Sequence, residues 1–166
     1  MERGLNGFSR IKTIFTNYLR RGGHQSQLPL FRRDYIQRMI EEFGKMLGHV
    51  MGLKTMNQPQ LALEELRKGY KTYFGLDALF IRGIHKDELL EALLSKDELK
   101  SQHLEAIAQA LMTEGELLHT TDLLLATDLR KKALLLYLHL EKHDNGTFSM
   151  IRKTAISELE SILENE

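Results

Sequence analysis

The run His139-Leu140-Glu141-Lys142-His143 sets two imidazoles at i and i+4, one helical turn apart, with Asp144 adding a carboxylate beside them. Two histidines at that spacing can share a metal ion. The zinc-protease pattern that exploits it carries its glutamate directly after the first histidine. Here Glu141 comes two residues later and points off the histidine face. Histidines close to a helix C-terminus also favour the local dipole with no ligand at all. The reading is therefore of a solvated pair, and no metal is assigned.

Two further carboxylate sets could serve as acid/base pairs, Glu41/Glu42 and Glu64/Glu65. Both fall opposite the apolar stripes of their segments, on what reads as the wet face of an amphipathic helix. The sequence holds no glycine-rich phosphate loop, nucleophile elbow or dinucleotide fingerprint. It also has no cysteine, which excludes a disulfide framework and thiolate chemistry. The expectation is a protein that is not an enzyme, with no catalytic residue, no cofactor and no small-molecule substrate.

The elements that carry these residues read as helices throughout. In 166 residues, 42% are apolar and 28% charged, the balance of a soluble globular chain. Two prolines and an abundance of Leu, Glu, Lys and Ala point to an all-α fold. The most patterned stretch runs from Asp34, a candidate N-cap, through Ile36, Met39/Ile40, Phe43, Met46/Leu47 and Val50, to a stop at Gly52. Gly44 and Gly48 open one side of it to a close neighbour. Asn57 is read as the cap of the next helix, with Pro59 in its first turn, Ala62, Leu66, Tyr70 and Tyr73/Phe74 on one face, and Gly75 ending it. Together the two form an αα-hairpin.

A short helical piece is expected up to Gly83, then a helix with Leu89, Leu90 and Leu93 inward. A longer one begins around Lys96–Glu98 and carries Leu104, Ile107, Ala108 and Leu111. Thr121 or Asp122 caps the next, with Leu125, Leu129, Ala133, Leu136/Tyr137 and Leu140 inward. After the turn signal at 143–146, a last helix from about Phe148 carries Ile151, Ala155, Leu159 and Ile162/Leu163. Met39, Met46, Met51 and Met56 are read as filling an irregular core. A weak internal repeat relates Ala62, Leu66 and Tyr70 to Ala133 and Tyr137, each set in the second helix of a pair. The architecture implied is a tetratricopeptide-like array of antiparallel hairpins with the last helix as a cap, although the full 34-residue repeat signature is absent.

The segments "RDYIQRMIEEFGKML" and "ALEELRKGYKTYFGLD" resemble the start of a family of small helical bacterial proteins, mostly from Gram-positive species. The likeness covers roughly residues 33–163. It implies a tetratricopeptide-like fold with no assigned activity and no catalytic residue to carry over.

The formal charge of zero hides an asymmetry. Residues 1–33 hold seven basic residues against Glu2 alone, a balance of +6, and the remainder holds 16 basic and 22 acidic residues, a balance of −6. A basic arm, 1–33, is thus set apart from a helical body, 34–166. In the arm, Phe8, Ile11, Phe15 and Leu19 form the apolar stripe of a short amphipathic helix flanked by Arg10, Lys12, Arg20 and Arg21 and ended by Gly22-Gly23. The stretch "HQSQLP" reads as a linker, with Pro29 against a helix through it. The four flanking basic residues, with Arg32 and Arg33, are the candidate partner-binding residues. The stripe can pack on the acidic body, in this chain or a second copy; it can lie on an anionic membrane; or the basic residues can contact nucleic acid. No apolar run approaches the roughly 18 residues of a membrane-spanning helix, and the first ten residues have no secretory apolar core. A cytoplasmic location is expected. The function expected is a scaffold or adaptor for a protein or peptide partner, with a homodimer also consistent. The alternative is peripheral membrane or nucleic-acid association through the arm.

Overall fold

The computed structural model describes residues 28–143 and 150–165, and these are helical throughout apart from short turns. Among the described residues there are seven helices: α1 (Leu28–Thr55), α2 (Pro59–Phe74), α3 (Ala78–Gly83), α4 (Lys86–Leu94), α5 (Ser101–Leu118), α6 (Leu123–His143) and α7 (Met150–Asn165). The all-α reading holds.

The stripe in α1 is a packing seam. Met39, Phe43, Leu47 and Val50 are buried, and Leu53 extends the seam by a further turn, which carries the helix past Gly52. Helix α1 therefore continues through both Asp34 and Gly52, where a cap and a stop were expected. Pro29, read as part of a linker, lies inside the described helix, and the arm boundary expected at Arg33 carries no break in it. The helix ends instead at Asn57, which takes a left-handed conformation (φ 58°). The Asn57 N–H bonds to the Lys54 carbonyl and the Gln58 N–H to the Leu53 carbonyl, both at 2.9 Å. That is the Schellman closure, with asparagine in the position glycine usually fills. Asn57 thus terminates α1 rather than capping α2, whose N-cap position is Gln58, with Pro59 at the first helical position.

Helix α2 lies antiparallel on α1, with Ala62, Leu66, Tyr70 and Phe74 buried, and ends at Gly75 (φ 63°) as expected. Phe43 meets the Tyr73 and Phe74 rings edge-on at centroid separations of 5.6 and 4.9 Å. The two helices approach closely at Gly69, where an added Cβ would sit 2.5 Å from Met46 Cε. Gly44 and Gly48, expected to admit a neighbour, are exposed with nothing near them. The small residue that sets the crossing is on the other helix.

Helices α3 and α4 connect α2 to α5. Asp77 caps α3, its Oδ1 accepting from the Leu79 N–H at 2.7 Å. Leu89 and Leu93 of α4 are fully buried against the bundle, where α4 packs on α6. Helix α5 starts at Ser101, later than the 96–98 expected, because residues 95–100 turn: the Leu99 N–H bonds the Lys96 carbonyl at 3.0 Å. Helix α5 is the centre of the fold and packs against α1, α2 and α6. Its contact with α6 is closest at Gly115, where an added Cβ would meet the Ala126 carbonyl oxygen at 3.0 Å. Asp122 caps α6 through the Leu125 N–H at 3.0 Å. Leu129, Ala133, Leu136, Tyr137 and Leu140 of α6 are buried as read.

Helix α7 packs on α6 with Arg152, Ala155 and Leu159 buried; Ile151, read as inward, is 74% exposed. Ala155 and Leu159 are inward as read, and only in the first turn does Arg152 take the inward place expected of Ile151.

Candidate functional site

Of the candidate partner-binding residues, Arg10, Lys12, Arg20 and Arg21 lie outside the described residues. Arg32 and Arg33 are exposed in the first described turns of α1, and Arg32 Nη2 reaches the Asp97 carbonyl at 3.5 Å. Asp144 also lies outside the described residues. His139 and His143 stack their rings at 4.3 Å, and His143 Nδ1 donates to the His139 carbonyl at 2.9 Å, which turns that nitrogen inward to the helix. Burial and the neighbouring His143 and Lys142 push the His139 pKa down. Among the described residues no group of three or more His, Asp or Glu side chains could hold a metal ion. Glu141 turns to α7, 3.8 Å from both Arg152 and Lys153. Glu41, Glu42 and Glu64 are exposed and Glu65 is half-buried beside Lys68, on the wet faces expected.

The chemistry-bearing residues that the structure does bring together are inside. Glu114 of α5, 1% exposed, accepts the Tyr70 hydroxyl at 3.0 Å on Oε2, and Arg82 Nε donates to its Oε1 at 2.7 Å. Lys132 of α6, fully buried, donates to the carbonyls of Ile81 and Arg82 at 2.9 and 3.0 Å and pairs with Asp128 at 2.6 Å. Those two carbonyls are at the C-terminal end of α3, where orphan carbonyls collect and a cation is favoured. A six-residue helix is thus held to the bundle by Ile81, by Arg82 on Glu114 and by Lys132.

A second junction joins α5, α6 and α7. Arg152, 2% exposed, donates from Nη2 to Glu105 at 3.2 Å and faces Glu141, close to Tyr137. The two junctions are built alike. Each has a tyrosine, from α2 or α6, a glutamate from α5, and an arginine from the element after the tyrosine's helix. Burial, and then the glutamate, raises both tyrosine pKa values well above the ordinary range. Held this way, the carboxylates and cations are spent on one another, as buried charges must be. What the arrangement supplies is a set of polar ties from α5 to α2, α3 and α7, and from α6 to α3.

None of these residues was read from the sequence as functional. The signal was there in the helical phase: Glu114 follows Ile107 and Leu111 on one face, Lys132 lies between Leu129 and Leu136, and Arg152 precedes Ala155 and Leu159.

The outer surface carries its own pattern. Lys54 pairs with Glu116, so the C-terminal ends of α1 and α5 lie side by side, and the α1–α2 and α5–α6 turns share one end of the bundle. At that end Met56 is 70% exposed and Leu124 87%, with Met51, Leu61 and Leu123 also exposed. The methionines are therefore divided, Met39 and Met46 in the core and Met51 and Met56 at the surface. Among the described residues no helix is long and apolar enough to cross a membrane. In comparisons with known proteins, no family model, curated protein or solved structure matches the chain.

Proposed function

We propose that this chain is a non-enzymatic scaffold or adaptor, built as a tetratricopeptide-like pair of hairpins, α1/α2 and α5/α6, with α7 as the cap, that binds a protein or peptide partner. The architecture is supported by the parallel course of α1 and α5, fixed at one end by Arg32 on the Asp97 carbonyl and at the other by Lys54 on Glu116. The contact of α5 with both helices of the preceding hairpin, and the matched tyrosine–glutamate–arginine junctions, support it further. Membership of the helical bacterial family remains a proposal resting on its two sequence segments.

The observation that carries the functional reading is the cluster of exposed apolar side chains at the turn end, Met51, Met56, Leu61, Leu123 and Leu124. Single exposed apolar residues need no explanation, but several at one end of a small bundle mark a contact surface. A second copy is one form such a partner can take. The charge asymmetry supports the alternative, membrane or nucleic-acid association through residues 1–33.

The test compares three proteins in lysate of the native host: the full chain, a chain beginning at residue 28, the first described residue of α1, and the full chain carrying Met56→Glu with Leu124→Glu. Both substituted side chains are exposed, so the fold is expected to survive. One protein retained by the first two and lost by the third supports the adaptor. Lipid or nucleic acid retained only by the full chain, and released by salt, supports the arm. Retention unchanged in the double variant overturns the turn-end surface.

A further inference from the structure

His103 occupies the junction of three elements and is 4% exposed. It is the third residue of α5, and its Nδ1 accepts the backbone N–H of Lys100, the N-cap residue, at 2.9 Å. This is one half of a capping box; a lysine ammonium has no lone pair to return the other half. The opposite face of the ring meets Phe74 of α2 edge-on at 6.4 Å. The charged groups facing it are both cationic, Lys100 from its own connection and Arg32 from α1. Asp97 and Glu98 belong to the same connection, but neither carboxylate is among the charges acting on His103, and Glu98 acts on Tyr35 of α1.

We propose that this junction is an acid-operated latch: protonation of His103 uncaps α5 and releases the connection 95–100, together with its contact to the start of α1, while the two hairpins remain folded. The proton would land on the acceptor nitrogen and end the capping bond. It would also place a cation in the first turn of a helix, at the positive end of the dipole. Lys100 and Arg32 would then face a third positive charge. Each effect acts in the same direction, and the pKa is lowered to about 4 by burial first and then by those two cations.

The connection is suited to opening locally. Between Leu94 and Ser101 it contributes no fully buried side chain, and Leu99 alone is half-buried there. Once open, the imidazole returns to its ordinary pKa of 6.5. Linkage between about 4 closed and 6.5 open raises the opening equilibrium about 30-fold between pH 7.5 and pH 5. The sign follows from which state binds the proton: the open state binds it more tightly, so acid opens the latch.

Hydrogen exchange of the full chain, followed by mass spectrometry at pH 7.5 and pH 5 with intrinsic exchange rates corrected, tests it. The expected result is loss of protection of about 30-fold confined to residues 95–105 and the first described turns of α1. His103→Gln keeps an acceptor that does not titrate, and should remove the pH difference. Loss of protection spread evenly over α2, α5 and α6 would overturn the proposal, because His103 would then report only global unfolding. So would a pH difference that persists in His103→Gln. As a reading independent of any variant, the His103 ring titrated by NMR in the native chain is expected far below 6.5. A midpoint near 6.5 with protection unchanged would also overturn it.

Discussion

Replacing Gly44, Gly48 and Gly52 together by alanine should make the protein more stable. All three lie inside α1 on one stripe, and nothing comes within 4 Å of the position their Cβ atoms would take. A glycine inside a helix costs about 0.8–1 kcal/mol relative to alanine, largely through the extra freedom of the unfolded chain. Three such positions with no shared partner sum to about 2–3 kcal/mol, or a rise in Tm of about 5–10 °C in a domain of this size. The assay is urea unfolding read by far-ultraviolet circular dichroism, with the m-value checked for constancy. Gly115→Ala supplies the control, because it makes the same change in the same helical setting with the opposite outcome. There the new methyl would meet the Ala126 carbonyl oxygen and Arg130 Cγ, each at 3.0 Å. The carbonyl belongs to the backbone of α6 and cannot step aside alone, so overpacking of about 1–3 kcal/mol outweighs the propensity gain. At Gly69 the obstacle is the flexible tip of Met46, and alanine there should be close to neutral. The reasoning is refuted if the triple variant is destabilised, since something would then have to pack against that stripe. It is refuted equally if Gly115→Ala gains the full helical increment.

Three other outcomes are expected. Glu114→Ala should cost about 3–5 kcal/mol in the same unfolding assay, because Arg82 is left nearly buried without its carboxylate, whereas Tyr70→Phe should cost only about 1 kcal/mol; equal costs would mean that the charge pair is not what matters. Lys132→Met, close in volume, should cost about 2–4 kcal/mol by leaving the Ile81 and Arg82 carbonyls without a donor, and hydrogen exchange should show the loss first in α3; a neutral result would mean that α3 needs no cation. In a tyrosine absorbance titration, Tyr70 and Tyr137 should ionise only as the fold is lost. Their folded pKa values lie above the unfolded value of 10, so the stability they contribute is intact below pH 10 and is lost as pH rises beyond it; ionisation of all tyrosines near pH 10 with the fold intact would contradict their burial.

The helices were legible because their apolar residues recur at helical spacing, and burial follows that spacing in Met39–Phe43–Leu47–Val50, in Leu104–Ile107–Leu111 and in Leu129–Ala133–Leu136–Leu140. Ends were read less well. Asn57 offered two roles, cap of the following helix or left-handed stop of the preceding one, and composition alone does not choose between them; the bonds from Asn57 and Gln58 back to Lys54 and Leu53 do. Gly44 and Gly48 were assigned to a helix crossing that Gly69 makes instead, because a glycine pattern states where a neighbour could fit and not which face has one. The same limit hid the junctions. A charged residue on an apolar phase is visible as spacing, as at Glu114, Lys132 and Arg152, but its meaning depends largely on partners from other elements, 32 to 51 residues away along the chain, beside nearer ones such as Asp128 for Lys132. Burial without that partner would be prohibitive. A charge at a core position is therefore itself a prediction that a partner exists, and for an all-helical chain the candidates are the opposite charges on the facing phase of neighbouring helices. Applied to Glu114, that rule admits Lys132, already held by Asp128 and the α3 carbonyls, and leaves Arg82 and Arg130. Tyr70 then decides between them, because its hydroxyl holds the carboxylate on the α2 side of α5, toward α3, while Arg130 packs against Gly115 and reaches His119.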